Sequence, residues 1–223
     1  MADLSCSFGK AVRLTANRYQ RSGYSFAGWN TMADGSGTPY ADKASVSNLT
    51  SSAGEVVTLY AQWKPASYRI RFHANRGSGS MAELPCVYDR ASQLPPCGFS
   101  RPGYVFTGWN TQPDGSGRSF RDRASVKNLA LGQDEVVVLY AQWKEITYKI
   151  RFVKNGGTGS MATLSCGADG VRLPACGFSR SGYRFVGWNT RADGSGSSYS
   201  SGELVRGLSE RSGATVTLYA QWR

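Results

Sequence analysis

Residues 28–37 read GWNTMADGSG, and the same pattern returns as GWNTQPDGSG at 108–117 and as GWNTRADGSG at 187–196. Aromatic residues followed by an Asp-Gly pair are typical of a β-hairpin, because aspartate can bond its own backbone and glycine accepts positive φ angles. Each copy is therefore expected to be a strand that runs into a tight turn. The predicted turn residues are Asp34, Gly35, Asp114, Gly115, Asp193 and Gly194.

The repetition extends far beyond the hairpin. Met1, Met81 and Met161 each open an MA-x-L-x-C segment, and every copy closes on LYAQW. A period of about 80 residues exceeds that of solenoid proteins and suffices for a small domain. We predict three tandem domains in an elongated array with short linkers, and the first of them lacks the opening strand of the repeat. Their bounds are 1–64, 65–144 and 145–223.

Hydrophobic periodicity favours strands. In YRIRF, Tyr68, Ile70 and Phe72 point to one face of a strand, and the two arginines point to the other. No window shows a long helical period, although short helical turns are expected near 14–19 and 45–49. The predicted fold class is mainly β or α+β.

The hairpin motif and the closing LYAQW together resemble the Listeria–Bacteroides repeat, the B-repeat of internalin-type surface proteins. The first copy matches at Gly23, Tyr24, Phe26, Gly28, Trp29 and 59–63, and the other two copies match in the same way. The resemblance implies small domains similar to the β-grasp fold. It also implies tandem arrays in secreted or wall-attached bacterial proteins, where such repeats serve as stalks, spacers or adhesive modules. An extracellular or cell-surface location is the corresponding expectation.

Aromatic residues recur at fixed places in each copy. Large side chains are needed to fill the core of so small a domain, although exposed tryptophans could also stack on sugar rings. The predicted repeat core comprises Tyr24, Phe26, Trp29, Trp63, Tyr104, Phe106, Trp109, Trp143, Tyr183, Phe185, Trp188 and Trp222.

The five cysteines suggest disulfides in two copies. Cys86 and Cys97 are eleven residues apart, and Cys166 and Cys176 are ten apart. The first copy has no second cysteine with which Cys6 could pair. Disulfides Cys86–Cys97 and Cys166–Cys176 are predicted, with Cys6 as an unpaired thiol. Such bonds would suit an extracellular protein and a marginal domain. Small buried thiols are the alternative.

Catalytic and metal sites are not expected. His73 is the only histidine, so no Ser–His–Asp or Cys–His arrangement can recur in the copies. Each DGSG loop supplies a single carboxylate, too few for paired-acid catalysis or a calcium loop. The sequence therefore predicts a non-enzymatic protein without a cofactor or metal ion.

The basic charge points to weak contacts with anionic partners. The net charge is +11, spread along the chain rather than gathered in one arm. Candidate contacts are Arg69, Arg71, Lys149 and Arg151 on the outer faces of the Y-x-IRF strands; alternatively, these charges only protect a strand edge. Expected partners are a surface glycan, an anionic wall polymer or a host protein, with no specific nucleic acid and no membrane span.

The Y-x-IRF segment occurs twice, whereas the other motifs occur three times. One domain should therefore have an unpaired sheet edge, which a strand from another chain or from upstream sequence could complete; a truncated fragment with a frayed end is the alternative. The predicted function is a stalk or spacer with adhesive contacts. Its alternatives are a module that binds carbohydrate or wall polymer, and a filament-forming subunit completed by a neighbouring chain.

Overall fold

The computed structural model describes residues 1–223, and all of its regular secondary structure is β. The first repeat contains β1 (Val12–Arg13), β2 (Tyr24–Asn30), β3 (Pro39–Tyr40), β4 (Ser45–Val46) and β5 (Tyr60–Pro65). The second contains β6 (Ser67–His73), β7 (Leu84–Val87), β8 (Ser92–Gln93), β9 (Tyr104–Asn110), β10 (Ser119–Phe120), β11 (Ser125–Val126) and β12 (Glu135–Glu145). The third contains β13 (Tyr148–Val153), β14 (Leu164–Cys166), β15 (Val171–Arg172), β16 (Phe185–Asn189), β17 (Ser198–Tyr199), β18 (Leu204–Val205) and β19 (Thr215–Trp222).

The third repeat shows the complete sheet. Its five strands follow the order β14-β13-β19-β16-β17, and a separate two-stranded sheet joins β15 to β18. Strand β13 runs parallel to β19 and antiparallel to β14, so it is bonded on both edges. The alternation predicted for Y-x-IRF is confirmed, because Tyr148, Ile150 and Phe152 are buried. These three side chains belong to the core of the repeat together with Trp188 and Leu218.

The second repeat has the same arrangement. Its large sheet follows the order β10-β9-β12-β6-β7, and its small sheet joins β11 to β8. The LYAQW strands β12 and β19 lie at the centre of their sheets, where each is bonded to a strand on both edges.

The first repeat has a smaller sheet. It contains only β3-β2-β5 and the pair β1-β4. Residues 4–7, which align with β7, form no strand, and neither do residues 55–59, which align with the start of β12. The reason is that a strand equivalent to β6 or β13 would supply their hydrogen-bond partners, and this repeat contains none.

A β-bulge explains the glycine of each GWN motif. The register of β2 against β5 shifts between Phe26 and Gly28, and that of β16 against β19 shifts between Phe185 and Gly187. Gly28 has φ of 136°, and a Cβ there would lie 2.7 Å from the carbonyl oxygen of Tyr40. Only glycine fits this backbone conformation and this close approach.

Several sequence expectations can be compared directly with the strands. The mainly β fold is confirmed, and so are the hairpins, since β2 pairs with β3, β9 with β10 and β16 with β17. The prediction of short helical turns near 14–19 and 45–49 was wrong. The backbone N–H of Leu14 bonds instead to Ala44, and 45–46 forms strand β4 against β1. Likeness to the β-grasp fold stays a prediction.

The chain divides into two compact units. The first comprises Met1–Phe72, Ala82–Pro96 and Arg123–Leu139, and the second comprises the remaining residues. The predicted boundaries at 64/65 and 144/145 stay predictions. No helix that could cross a membrane is found.

Candidate functional site

A buried asparagine organises each hairpin loop. Asn189 is fully buried, and its side-chain oxygen accepts hydrogen bonds from the backbone N–H groups of Arg191 and Gly196. Its amide nitrogen donates to the carbonyl oxygens of Gly194 and Gly196 and to Ser198 Oγ. Asn110 makes the same contacts. Asn30 bonds to the backbone of Met32, Gly35 and Gly37, and Pro39 replaces the serine there. Sequence reasoning missed this role, although the asparagine stands in every GWN motif.

The predicted turn aspartates act locally. Asp34 Oδ1 accepts hydrogen bonds from the backbone N–H and the hydroxyl of Ser36, and these bonds lower the pKa of its carboxyl group. Asp114 and Asp193 hold Ser116 and Ser195 in the same way. Each pair shapes one turn. No group of three or more histidine, cysteine, aspartate or glutamate side chains is placed to hold a metal ion.

The two tryptophans of each repeat are packed differently. Trp109 and Trp188 are fully buried, each edge-on to the phenylalanine three residues before it. Trp143 and Trp222 are half-buried, and their indole N–H groups donate to the carbonyl oxygens of Ala74 and Lys154. These contacts favour core packing over an exposed stacking platform.

The tyrosine of each GY pair does not belong to the core. Tyr183 is 51% exposed, and Tyr24 and Tyr104 are partly exposed. The guanidinium of the arginine three residues earlier lies over each ring, 3.8 Å from its centroid at Tyr24 and 4.0 Å at Tyr183. This placement corrects the assignment of these tyrosines to the core, because the ring of each lies at the surface under an arginine side chain.

The junction between the first and second repeats is built on Gly23. Its carbonyl oxygen accepts a hydrogen bond from Ala66, whose own carbonyl accepts one from the backbone N–H of Tyr88. The Tyr88 ring covers Gly23 so closely that a Cβ would lie 2.4 Å from it. Tyr24 packs edge-on to Tyr88 and donates its hydroxyl proton to Asp89 at 2.7 Å.

Asp89 completes this junction as a charged acceptor. Its carboxylate accepts hydrogen bonds from the amide of Asn128 and from Tyr24, and it pairs with Lys127 at 3.4 Å. These partners, with Asn128 first, lower the pKa of Asp89 to about 2. The carboxylate therefore stays ionised at neutral pH and remains an acceptor for the tyrosine.

The junction between the second and third repeats uses the same position. The carbonyl oxygen of Gly103 accepts a hydrogen bond from Ile146, and a Cβ on Gly103 would lie 2.7 Å from that of Ala168. Glu145 accepts a hydrogen bond from the backbone N–H of Ala168. Each junction thus places a GY glycine against a turn of the following repeat. Sequence reasoning missed these contacts; the glycine before each GY tyrosine was their only signal.

We predict that Gly103→Ala loosens the second junction, whereas Gly182→Ala leaves it intact. Both glycines have nearly equal φ angles, 77° and 78°, so alanine should cost each the same, about 1 kcal/mol of backbone strain. Only Gly103 faces a neighbour, since nothing lies within 4 Å of a Cβ on Gly182. Trypsin cleavage after Lys144, followed by mass spectrometry, should accelerate in Gly103→Ala alone. Equal acceleration in both variants would contradict the assigned contact.

The two predicted disulfides are not formed in the structure, because all five cysteines carry free thiols. Cys166 faces the core from β14, and its thiol donates to the Tyr148 hydroxyl at 3.0 Å. The Cys176 thiol is directed instead to the carbonyl oxygen of Phe178 in its own loop. Cys86 is buried, Cys97 is partly buried, and Cys6 is exposed. Close spacing in the sequence does not by itself pair two thiols, and in the third repeat each thiol bonds to a different oxygen instead.

The basic strands differ in how their charge is balanced. Arg69 and Arg71 both form ion pairs with Glu83, at 3.4 and 2.7 Å. Thr163 occupies the position of Glu83 in the third repeat, so Lys149 and Arg151 have no carboxylate partner there. Arg151 donates to the Thr217 hydroxyl instead. The third repeat therefore presents the more positive strand.

His73 has a structural position in this fold. Its Nδ1 accepts a hydrogen bond from the backbone N–H of Asn75, and its ring lies 5.0 Å from that of Tyr140. These contacts hold the turn that follows β6.

Comparison with known proteins identifies the repeat. Residues 5–62, 68–142 and 148–221 match the Listeria-Bacteroides repeat domain. One relative in Evansella cellulosilytica, whose provisional name describes a Gly-rich membrane protein, is 38% identical over 141 residues, which is 62% of this chain and 16% of the relative. A second, provisionally named a membrane protein of the same organism, is 29% identical over 213 residues, 91% of this chain and 28% of the relative. The chain spans less than a third of either relative and belongs to the Listeria-Bacteroides repeat family, with three tandem copies of the domain.

Proposed function

We propose that this chain is a non-enzymatic spacer, a part of a larger bacterial surface protein in which tandem repeats set the distance between functional ends. The observation that carries the proposal is the repeated junction. At both junctions a GY glycine packs against a turn of the next repeat, and a linker residue, Ala66 or Ile146, bonds to its carbonyl oxygen. Successive repeats therefore hold each other by direct contact, which a spacer of defined reach requires.

A surface location agrees with the comparisons. The names of two relatives describe membrane proteins, and both relatives are several times longer than the aligned region. Repeats that extend outward from a bacterial envelope would lie in the extracellular space. The exposed polar loops and the net charge of +11 suit that environment, because they keep the surface solvated.

Surface display tests the spacer function. The chain, anchored to bacteria at its C-terminal end with an epitope tag at its N-terminal end, would be compared with a chain that lacks the third repeat. We expect the shorter chain to bind fewer antibody-coated beads, since the tag lies nearer the envelope, and to bind a small soluble antibody fragment equally. Equal bead capture by the two lengths would overturn the proposal.

A second function is contact with an anionic surface polymer. It is favoured by Lys149 and Arg151, which lie on one strand face without a carboxylate partner. Tandem repeats can add several weak contacts into useful avidity. The matching face of the second repeat is less suited to this function, because Glu83 already neutralises part of its charge.

Paired double variants test this contact. Lys149→Ala with Arg151→Ala should elute from a heparin column at lower salt than Arg69→Ala with Arg71→Ala, although both remove two positive charges. The physical reason is that Glu83 already neutralises part of the positive charge of Arg69 and Arg71, so their removal takes less free charge from the surface. Identical elution of the two variants would show that only the diffuse net charge acts.

A further inference from the structure

We propose that the outer face of the large sheet in the third repeat binds a linear acidic polysaccharide. The polymer lies along the sheet from Lys149 and Arg151 at one end to Arg184 and Arg223 at the other. The inference rests on the second proposed function, contact with an anionic polymer, and deepens it. It adds a second pair of cations, and it names the class of polymer from a side chain that stands between the two pairs.

The large sheet of the third repeat is covered on one face only. Leu173 and Val205 of the small sheet share a core with Ile150 of β13, so the small sheet lies over the inner face. Lys149 and Arg151, which alternate with the buried residues of the same strand, are exposed on the outer face. No other layer of the repeat covers this face, so it is open to a ligand.

A second pair of cations lies at the far end of the outer face. Arg184 and Arg223 exchange two backbone hydrogen bonds, of 2.8 and 3.0 Å, and so stand directly opposite each other on neighbouring strands. Phe185 and Trp222 beside them pack against the core, so the two exposed arginines point outward. Like charges placed directly opposite each other destabilise a sheet, and an anionic ligand would remove that cost.

The exposure of this second pair is a property of the single repeat. Ser25 and Lys64 occupy the same two positions in the first repeat, and Val105 and Lys144 occupy them in the second. All four are exposed, although another repeat follows each of these two. Only the third repeat places two cations there, and its outer face is therefore the one with a positive charge at both ends.

Hydroxyl groups, rather than acids, flank the first pair of cations. Ser165 stands beside Lys149 on one neighbouring strand, and Thr217 stands beside Arg151 on the other. The Arg151 guanidinium donates to the Thr217 hydroxyl at 3.2 Å and keeps further N–H groups for a ligand. Neither Lys149 nor Arg151 forms an ion pair with a carboxylate of this chain, and the same holds for Arg184. A guanidinium binds an oxyanion through two parallel bonds, so acidic groups of a polymer suit these side chains.

The ring of Tyr219 lies between the two pairs of cations. It stands beside Val153 in the register of β13 and β19, and it is partly exposed. It points outward, since Leu218 and Ala220 on either side of it are buried in the core. A tyrosine with an aliphatic neighbour offers an apolar surface on which a sugar ring can stack. A polyphosphate chain has no ring to stack, so this side chain favours a saccharide.

The distance between the two pairs requires a polymer. Lys149 stands beside Thr215, and Arg223 follows Thr215 by eight residues on the same strand. At the rise of a β-strand this separation is about 26 Å. One small anion can reach only one pair, whereas an extended chain with several acidic groups reaches both and gains from each.

The test uses the whole chain and an octasaccharide of heparin, with binding measured by isothermal titration calorimetry. Arg184→Val installs the residue that the second repeat carries at this position, and valine suits a strand. We expect the octasaccharide to bind about twofold to fivefold more weakly, which is the effect of one exposed ion pair. Arg172→Ser is the matched control, because it removes one charge from the small sheet on the other side of the core. Its affinity should stay unchanged.

An Arg184→Val variant that binds as tightly as Arg172→Ser would overturn the proposal. If Lys149→Ala with Arg151→Ala still weakened binding in that case, the proposed contact with an anionic polymer would stand, and only the long site would fall. If neither variant weakened binding, the proposed contact would fall as well.

Tyr219→Ser tests the class of polymer. It should weaken binding of the heparin octasaccharide and of an octamer of galacturonic acid, while binding of a linear polyphosphate of equal charge stays unchanged. The polyphosphate arm also shows that the variant is folded. An equal loss with all three polymers, no loss with any, or binding of polyphosphate alone would overturn the assignment to a saccharide. The saccharide that binds more tightly identifies sulfate or carboxylate as the recognised group.

Discussion

Replacing Asn189 by alanine is expected to lower the free energy of unfolding of the third repeat by about 3 kcal/mol. The side chain is fully buried and satisfies two backbone N–H groups and two carbonyl oxygens of the hairpin loop. Alanine leaves these part-buried backbone groups without their side-chain partner. Hydrogen exchange of residues 185–199, followed by mass spectrometry, measures this loss in one repeat.

Asp193→Ala is the matched control in the same loop. Its carboxylate bonds only to Ser195, at an exposed position. We expect a much smaller change in hydrogen exchange than for Asn189→Ala. If the two variants were destabilised equally, the Asp-Gly turn would organise the loop, as sequence reasoning alone suggested, and the role assigned to the asparagine would be wrong.

Replacing Ile150 by alanine is expected to cost about 2–5 kcal/mol, the range for a large aliphatic side chain removed from a packed core. Ile150 is completely buried in β13, which is bonded on both edges. A cavity at this point weakens the contact of the strand with Leu218 and Trp188 in the same core. Denaturant unfolding followed by hydrogen exchange of residues 148–153 measures the loss.

Lys149→Ala provides the control for this strand. Its side chain points away from the core, and alanine there should leave stability almost unchanged. An Ile150→Ala variant as stable as Lys149→Ala would contradict the position of β13 in the centre of the apolar packing.

The internal repeats make this molecule its own control. Trp109 and Trp188 are fully buried, whereas Trp29 is 6% exposed in the repeat with the smaller sheet. The same motif therefore packs somewhat less completely where the Y-x-IRF strand is missing. This difference is expected if the side chains of that strand fill part of the core, because their absence leaves the tryptophan less completely covered.

Much of the fold could be predicted because it depends on local pattern. The alternation in YRIRF predicted buried Tyr68 and Ile70, and the Asp-Gly pair predicted the hairpin turn. The helical turn near residue 45 was wrong, since residues 45–46 pair with β1, a contact about 30 residues away in the chain that no local propensity reveals. Tertiary pairing outweighs weak local preference in such short segments.

The functional features likewise fall into those that the sequence predicts and those that only the tertiary structure shows. Repetition, strand alternation and the family resemblance follow from the order of residues alone, because period and spacing are properties of a linear chain. Only the tertiary structure placed Tyr88 against Gly23, left Cys166 and Cys176 as free thiols and paired Glu83 with the arginines of β6. Each of these depends on which distant side chains face each other once the sheets have formed, and the hydrophobic pattern that brings strands together does not specify those partners.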